Sequence, residues 1–340
     1  MDEELPKIGY LFGAGASAQK LPTVKELPER IKAIRSYIEE NYVYINDDLL
    51  TVKDFSFKDN DAKEFILEGL DKLYVASQNH STVDTYAKKL YLLEEWNEIE
   101  ELIFSLALYF NIEQKVCGCD PRYNTSLISI LDSSAIEFPV NLKFLSWNYD
   151  LQFEIAYHDL KKKSSLDVDF YLFNTSERLW GKNKFSSIKI NGSCIMRDSY
   201  DRRLFNLIKN LKQKTPSNDD MKFALEFSYT QIKNRKKFFS TIVNIDFAWS
   251  KDSTFIDKIS ELHNETEVLV VIGYSFPFFN REVDRKIIRA MGNLRTIYIQ
   301  DINADNIVSR FLSILPDYKK RNIEIIPITA VDEFFLPPEL

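Results

Sequence analysis

Short apolar runs alternate with longer amphipathic segments along much of this chain, and polar residues follow directly after most of the runs. Runs of four to six apolar residues predict buried strands. Four of them are unambiguous: 8–12, 142–146, 268–272 and 296–300. Further extended segments are predicted at 169–173, 187–190 and 323–328, and residues 242–249 are expected to be extended or irregular.

Apolar residues spaced three and four apart predict amphipathic helices between the strands. The predicted helices cover 24–40, 86–109, 151–160, 281–291 and 304–315, and a helix broken at 215–218 covers 200–240. Residues 54–61 are polar and are expected to form a loop. Strands that alternate with helices predict a parallel sheet and an α/β, Rossmann-like fold. We expect one domain over residues 1–340, with a mainly helical insertion at 25–140.

Charge and composition narrow the class of protein. The 340 residues are 45% hydrophobic and 28% charged, with a formal net charge of −7, which is the balance of a globular protein with a sizeable core. An acidic chain lacks the basic patch expected of a nucleic-acid binder. No apolar run reaches the length of about 18 residues that a membrane span needs, and the acidic start is not that of a signal peptide. A cytoplasmic location is therefore expected.

Cysteine and histidine are too few to predict a metal site. The three cysteines, Cys117, Cys119 and Cys194, cannot form the paired knuckles of a four-cysteine zinc site. The three histidines lie in unrelated sequence contexts. No metal is predicted.

Glycine is scarce, and its placement is informative. The chain has nine glycines, well below the usual proportion of about 7%. Residues 13–18, Gly-Ala-Gly-Ala-Ser-Ala, follow the first predicted strand and fit the G-x-G-x-x-A pattern of a turn that binds a pyrophosphate at a helix N-terminus. The alternative is a small-residue turn that packs a helix on a sheet. The acidic residue that dehydrogenases carry about 20 positions later is absent, so this is not an ordinary dehydrogenase.

Four other predicted strands also end in polar residues. These ends are Asn148-Tyr149-Asp150, Asn191-Gly192-Ser193, Gly273-Tyr274-Ser275 and Asp301-Ile302-Asn303. Each has a structural alternative: Asn148 or Asp150 can cap the following helix, and Gly192 can form a tight turn. In a parallel sheet, ligands lie beyond the carboxyl ends of the strands, so we expect all five ends to border one site.

Taken in order, these residues resemble the sirtuin-like superfamily, and specifically its bacterial branch of NAD hydrolases in anti-phage defence. The glycine turn with Pro22 and Thr23 matches one family motif, and Asn148-Tyr149-Asp150 matches a second. Gly273-Tyr274-Ser275, with Asp284 downstream, matches a third, and Asn303 corresponds to the late asparagine of the nucleotide pocket. The resemblance spans nearly the whole chain.

Two departures from the family pattern affect the expected chemistry. The zinc module of deacetylating sirtuins is missing, which argues against protein deacylation. The family's His-Gly-Ser motif is Asn191-Gly192-Ser193 here, and an asparagine cannot accept a proton as a general base.

The resemblance implies NAD⁺ as substrate and its hydrolysis to nicotinamide and ADP-ribose, with activity reduced or lost because of Asn191. Asn148, Asp150 and Asn191 would be catalytic. The nucleotide would be bound by Gly13, Ala14, Gly15, Ser17, Gly192, Ser193, Gly273, Ser275 and Asn303. The family also implies a homo-oligomer regulated by a separate ATPase or a phage-derived trigger. The alternative is a catalytically dead NAD- or ADP-ribose-binding module that regulates a partner protein.

Overall fold

A computed structural model of the chain describes residues 5–41, 60–131, 138–160, 186–198, 241–247, 249–250, 253–317 and 322–340. The chain forms two compact units. The first contains residues 1–19, 119–192 and 246–340, and the second contains residues 20–118 and 193–245.

The described residues form eight strands, which are β1 (Ile8–Phe12), β2 (Leu142–Ser146), β3 (Ser186–Lys189), β4 (Gly192–Asp198), β5 (Thr241–Ile245), β6 (Val268–Ile272), β7 (Thr296–Gln300) and β8 (Glu324–Ile328). The four unambiguous apolar runs coincide with β1, β2, β6 and β7, so these predictions are confirmed. The strand predicted at 169–173 and the broken helix at 200–240 lie outside the described residues.

Six of these strands form one sheet in the first unit, in the order β3-β2-β1-β6-β7-β8. Every neighbouring pair is parallel. Counted along the chain, the sheet strands stand in the order 3-2-1-4-5-6, which is the order of the doubly wound Rossmann fold. The predicted α/β class with a parallel sheet is therefore confirmed. The strand order reverses between β1 and β6, and ligands of such sheets bind at this switch point.

The described helices are α1 (Leu27–Asn41), α2 (Asn60–Asn79), α3 (Val83–Leu92), α4 (Trp96–Cys117), α5 (Pro121–Ile130), α6 (Gln152–Leu160), α7 (Ser253–Leu262), α8 (Arg281–Ala290) and α9 (Ala304–Leu312). The single helix predicted over 86–109 is wrong, because the chain turns at residues 93–95 between α3 and α4. The apolar spacing continues on both sides of the turn, so periodicity alone did not reveal it. The loop predicted over 54–61 is wrong at residues 60 and 61, which begin α2.

The two faces of the sheet carry different cores. Because successive strand side chains point to opposite faces, Tyr10 and Phe12 join one core and Leu11 joins the other. The first core is aromatic, with Phe144 stacked on Tyr10 at 5.2 Å between ring centroids. The second is mainly aliphatic and is covered by residues of α7, α8 and α9.

The second unit contains α1 to α4 and the two-stranded sheet of β4 and β5. Its helices pack as α1 on α2, α2 on α4 and α3 on α4. The region predicted as an insertion, 25–140, is divided between the units after residue 118, where Gly118 ends α4 at a φ of 74°. Residues 121–130 form α5, whose apolar side chains join the aromatic core of the first unit. None of the described helices combines the length and apolar character needed to cross a bilayer.

Candidate functional site

The turns after β1 and β6 meet at the switch point. The Gly13 amide donates to the Ile272 carbonyl at 3.0 Å, and the Gly15 amide donates to the Gly273 carbonyl at 2.9 Å. A Cβ on Gly13 would lie 2.6 Å from the Gly273 oxygen, and one on Gly15 would lie 2.7 Å from the Gly273 Cα. Glycine is therefore required at positions 13 and 15 because the backbones of the two turns approach each other closely. A side chain at position 15 would therefore meet the Gly273 backbone rather than the space of a bound pyrophosphate.

The glycine turn does not open a long helix. It continues into a 3₁₀-helix of four residues, Ala14–Ser17, and α1 begins only at Leu27. The expected helix N-terminus with its partial positive charge is therefore wrong, since a single 3₁₀ turn aligns few peptide dipoles. Within the turn, Ala14 is exposed, Gly15 is half-buried and Ser17 is buried.

Asn148 connects the end of β2 to the glycine turn. Its Nδ2 donates to the Gly13 carbonyl at 2.9 Å, and its backbone amide donates to Ser146 Oγ at 3.1 Å. The side chain is buried. Asn148 thus fixes the turn after the neighbouring strand, and it does not cap α6.

Asp150 both caps a helix and contacts the glycine turn. Its Oδ1 accepts from the Gln152 amide at 3.0 Å, at the start of α6, and its Oδ2 accepts from Ser17 Oγ at 2.9 Å. The capping alternative is therefore confirmed for Asp150, and the same side chain also contacts the glycine turn. The Ser17 hydroxyl also lies 3.2 Å from the Tyr123 hydroxyl. Since Ser17 donates its one proton to Asp150, Tyr123 donates to Ser17. Burial, and then the charge of Asp150, raise the pKa of Tyr123, so the phenol keeps its proton.

Asp120 and Arg122, which the sequence did not indicate, hold the glycine turn from the start of α5. Arg122 donates through Nη2 to the carbonyls of Gly15 and Ala16 at 3.2 and 3.1 Å, and to Asp120 Oδ2 at 2.7 Å. Asp120 also accepts from the Gln19 amide at 3.1 Å. Both side chains are buried. This buried ion pair fixes the turn through backbone groups, which leave no signature in a sequence.

Lys189 holds the loop after β2 from the end of β3. Its Nζ donates to the backbone carbonyl of Asp150, and it lies 3.3 Å from Glu154 Oε2 and 3.5 Å from the Asn148 carbonyl. Burial raises the pKa of Glu154, an effect that the charge of Lys189 opposes. Lys189 lies two residues before Asn191 in the sequence. The alternation of apolar and polar residues along a strand did not predict that the charged side chain of Lys189 would be buried.

Asn191 lies in the turn between β3 and β4. Its Nδ2 donates to the Tyr149 hydroxyl at 3.4 Å, and its carbonyl accepts from the Asp246 amide at 2.9 Å. Gly192 has a φ of 69°, which explains the glycine at this turn. Ser193 follows in β4 and belongs to the second unit.

Gly273 begins a compact loop after β6. Its φ of 61° is a left-handed conformation that favours glycine. The Tyr274 hydroxyl donates to Asp284 Oδ2 at 2.9 Å and accepts from Asn280 Nδ2 at 3.0 Å. Burial raises the pKa of Asp284. Tyr274 and Asp284 thus brace the loop, whereas Ser275 is exposed.

Asn303 precedes α9 at the end of β7. Its amide donates to Asp301 Oδ1 at 2.8 Å, and its side chain is exposed. The hydrogen bonds and backbone contacts described above join Gly13, Gly15, Ser17, Asn148, Asp150 and Gly273 into one cluster. Ser275 and Asn303 lie exposed after the neighbouring strands β6 and β7, at the same edge of the sheet.

The cluster defines a class of site: a polar, glycine-lined switch point of a doubly wound α/β sheet. Its conformation is fixed by hydrogen bonds beneath the surface, and the described residues contain no group of three or more His, Cys, Asp or Glu side chains arranged to hold a metal. Ligands of doubly wound sheets bind at the position that this cluster occupies.

Comparison with known proteins adds little to this class. No family model matches the chain, and no curated protein matches it. Among solved structures, the chain is similar to "Structure of Sir2Tm bound to a propionylated peptide", with 11% identity and a TM-score of 0.35 over 96% of this chain and 89% of that one. A TM-score this low carries no argument about function.

Proposed function

We propose that the first unit binds NAD⁺ at the switch point and hydrolyses the bond between nicotinamide and the ribose. The observation that carries the proposal is the meeting of the glycine turn, Asn148 and Asp150 at the reversal of strand order. Dinucleotides bind across this crevice in sheets of the same order. The sirtuin-like motif order supports NAD⁺ as the dinucleotide.

The proposed binding mode follows the strand ends. The turn of Gly13, Ala14 and Gly15 faces the pyrophosphate through the exposed Ala14, and the buried Ser17 supports the turn through its hydrogen bond to Asp150. Gly273, Ser275 and Asn303, on the β6 and β7 side, hold the adenosine half. Gly192 completes the ribose side next to Asn191. Because Arg122 already engages the carbonyls of Gly15 and Ala16, the turn is set before the ligand arrives, which limits the ordering cost of binding.

The proposed reaction breaks the glycosidic C–N bond and adds water at the ribose carbon. Nicotinamide leaves as a neutral molecule because it is a pyridinium cation in the substrate, so no general acid is needed. The ribose carbon becomes cationic in the transition state, and we assign its stabilisation to the Asp150 carboxylate. Asn148 orients the ribose or the attacking water. The water proton must go to solvent, since Asn191 cannot accept it.

A second candidate is a binding module that holds NAD⁺ or ADP-ribose without cleaving it and regulates a partner. Asn191 favours this function, because its amide is engaged with Tyr149 and it cannot serve as a base. A role in anti-phage defence, with a homo-oligomer, a separate ATPase and a phage-derived trigger, rests on the motif resemblance alone.

The test of catalysis is the variant Asn191→His. Neutral imidazole, with a pKa near 6.5 in water, can accept the proton of the attacking water. We expect nicotinamide release to rise by part of the roughly 10²- to 10⁴-fold that a general base contributes. The gain should decrease below pH 6.5 and disappear when Asn148→Ala is added. Asn264→His, near the opposite edge of the sheet, is the matched control. Release by Asn191→His no faster than by the parent, at saturating NAD⁺, would support the binding module instead.

The test of binding is Gly15→Val, measured by calorimetry with NAD⁺. The valine side chain would collide with the Gly273 backbone and displace the glycine turn. Because the turn would then no longer present its backbone amides to the phosphates, we expect the affinity for NAD⁺ to fall at least about 100-fold. Gly292→Val is the control, since a Cβ there meets its nearest atom at 3.8 Å. Unchanged affinity in a folded Gly15→Val protein would exclude the glycine turn from the site. Absence of NAD⁺ binding by the parent chain would end both proposals.

A further inference from the structure

Residues 330–335, which follow the edge strand β8, return across the carboxyl edge of the six-stranded sheet. Strand β1 lies three strands away from β8, which is about 14 Å at the usual spacing of strands. Phe334 nevertheless packs against Phe12 at the end of β1, with ring centroids 5.8 Å apart, and against Tyr123 of α5, at 4.8 Å. Its side chain is buried. We call residues 330–335 the strap.

Gln300, the last residue of β7, anchors the strap through its side chain. Its Nε2 donates to the carbonyls of Ala330 and Glu333, each at 2.7 Å, and its Oε1 accepts from the Phe335 amide at 3.0 Å. Gln300 is buried. One carboxamide thus satisfies three main-chain groups of the strap, and its loss would leave all three without these hydrogen bonds.

The strap in turn holds the arginine that supports the glycine turn. The Val331 carbonyl accepts from Arg122 Nη1 at 3.1 Å, and Arg122 Cζ lies 5.1 Å from the centroid of the Phe334 ring. Arg122 Nη2 donates to the carbonyls of Gly15 and Ala16. Because a guanidinium group is planar and rigid, the strap fixes the nitrogen that holds the turn when it fixes the other one.

Gln300 also contacts the second half of the cluster through its main chain. Its carbonyl accepts from the Gly273 amide at 2.9 Å, and the Gly273 carbonyl accepts from the Gly15 amide at the same distance. The two backbones that meet at the switch point are therefore both connected to Gln300. One connection is direct, and the other passes through the strap and Arg122.

Packing of the core does not by itself explain how the strap is held. Phe334 covers the aromatic core, but Ala330 and Glu333 are exposed. Side chains that stay exposed gain little from burial. Gln300 holds the main chain at these two exposed positions, and this keeps the Val331 carbonyl between them in its place.

We propose that the strap sets the conformation of the switch-point site, and that Gln300 is a positioning residue for the ligand bound there. Gln300 acts on the glycine turn through the strap and Arg122. The identity of the ligand, NAD⁺, rests on the proposed function, whereas the connection between strap and turn does not. A turn that is held in advance binds without the cost of ordering, so release of the strap weakens binding.

Hydrogen–deuterium exchange of the full chain, measured by mass spectrometry, tests the connection directly. Gln300→Met keeps the length of the side chain and removes all three hydrogen bonds to the strap. We expect the amides of residues 13–19 to exchange at least about tenfold faster than in the parent, because the turn opens more often once the strap is released. Gln300→Glu keeps the shape of the side chain but directs a carboxylate at two carbonyls, so it should have the same effect.

Gln114→Met is the matched control. Gln114 is also a buried glutamine, but it lies in the second unit, where it donates to the Phe110 carbonyl at 3.0 Å and to the Cys194 sulfur at 3.3 Å. The control variant should lower the free energy of unfolding, measured by urea denaturation, and leave the exchange of residues 13–19 unchanged. Equal acceleration of this segment in both Met variants would overturn the proposal, because the effect would then follow from lost stability alone.

Calorimetry with NAD⁺ connects the strap to the proposed function. Gln300→Met should raise the dissociation constant for NAD⁺ at least about tenfold, and Gln114→Met should leave it unchanged. Faster exchange of residues 13–19 in a chain that does not bind NAD⁺ would support the strap and contradict the proposed function. Unchanged exchange in both Gln300 variants, or faster exchange with unchanged NAD⁺ affinity, would overturn the proposal even if the parent binds NAD⁺.

Discussion

A buried polar cluster at the carboxyl edge of the six-stranded sheet and a buried histidine at its amino edge differ in their hydrogen-bond partners. At the carboxyl edge, Arg122 and Asp120 pair with each other and with the glycine turn, and Ser17 links Tyr123 to Asp150. At the amino edge, His263 is fully buried, and neither ring nitrogen has a hydrogen-bond partner among the described residues.

The contrast separates a connected cluster of polar groups from an isolated buried group. At the carboxyl edge, hydrogen-bonded side chains hold the backbone of the glycine turn in one position. A binding site needs groups that are held in position in this way. An unpartnered buried imidazole fixes nothing and costs its desolvation energy. Burial of polar residues alone is therefore a weak sign of function, and their connection to a backbone turn is a stronger one.

Arg122→Met should produce the largest effect. It removes the charge that balances Asp120 and releases the carbonyls of Gly15 and Ala16. Breaking a buried pair by removing one partner costs about 3–5 kcal/mol of unfolding free energy, measurable by urea denaturation. Asp120→Asn in the same chain should recover part of this loss. Arg35→Met, which removes partly exposed pairs with Glu39 and Asp71, should cost no more than about 1 kcal/mol. Equal losses for the two arginines would show that the buried pair of Arg122 contributes no more to stability than the partly exposed pairs of Arg35.

Gly273→Ala should have the next largest effect. The φ of 61° and a Cβ only 2.4 Å from the Ala16 nitrogen leave no room for a methyl group, so we expect a loss of about 2–4 kcal/mol in unfolding free energy. Gly292→Ala, where the nearest atom to a Cβ is 3.8 Å away, should change stability by less than about 1 kcal/mol. Thermal unfolding of both variants measures the difference, and similar melting temperatures would show that the two turns are not in close contact.

His263→Leu should have the smallest effect near neutral pH and a larger one in acid. Burial, and then the charge of Lys143, lower the pKa of His263 to about 3, whereas an unfolded histidine has a pKa near 6.5. Between these two pH values, the unfolded chain therefore binds a proton at His263 more readily than the folded chain does. As the pH falls through this window, the free energy of unfolding decreases by up to about 1.4 kcal/mol per pH unit. The variant should lose this part of the slope. Parallel stability–pH curves for parent and variant would mean that His263 is protonated equally in both states.

The apolar pattern by itself determined the class of fold. Strands β1, β2, β6 and β7 are mainly apolar and fully buried, because both faces of a parallel sheet are covered. Such segments are easy to recognise even where a strand contains Lys143 or ends in Gln300. The sequence also located the turns with special backbone needs, since Gly192 and Gly273 adopt a positive φ. It could not place the break between α3 and α4, because the amphipathic spacing is the same on both sides of the corner.

Only the tertiary structure decided what the polar residues do. The sequence located Gly13, Gly15, Ser17, Asn148 and Asp150 at strand ends, and left open whether each binds a ligand, caps a helix or packs a turn. Asp150 does two of these at once, and Gly15 is required by the Gly273 backbone, more than 250 residues away along the chain. Arg122 went unnoticed because its partners are main-chain carbonyls, which every residue possesses. Strand burial is encoded locally in side-chain character, whereas these contacts join backbone groups that only the folded chain brings together.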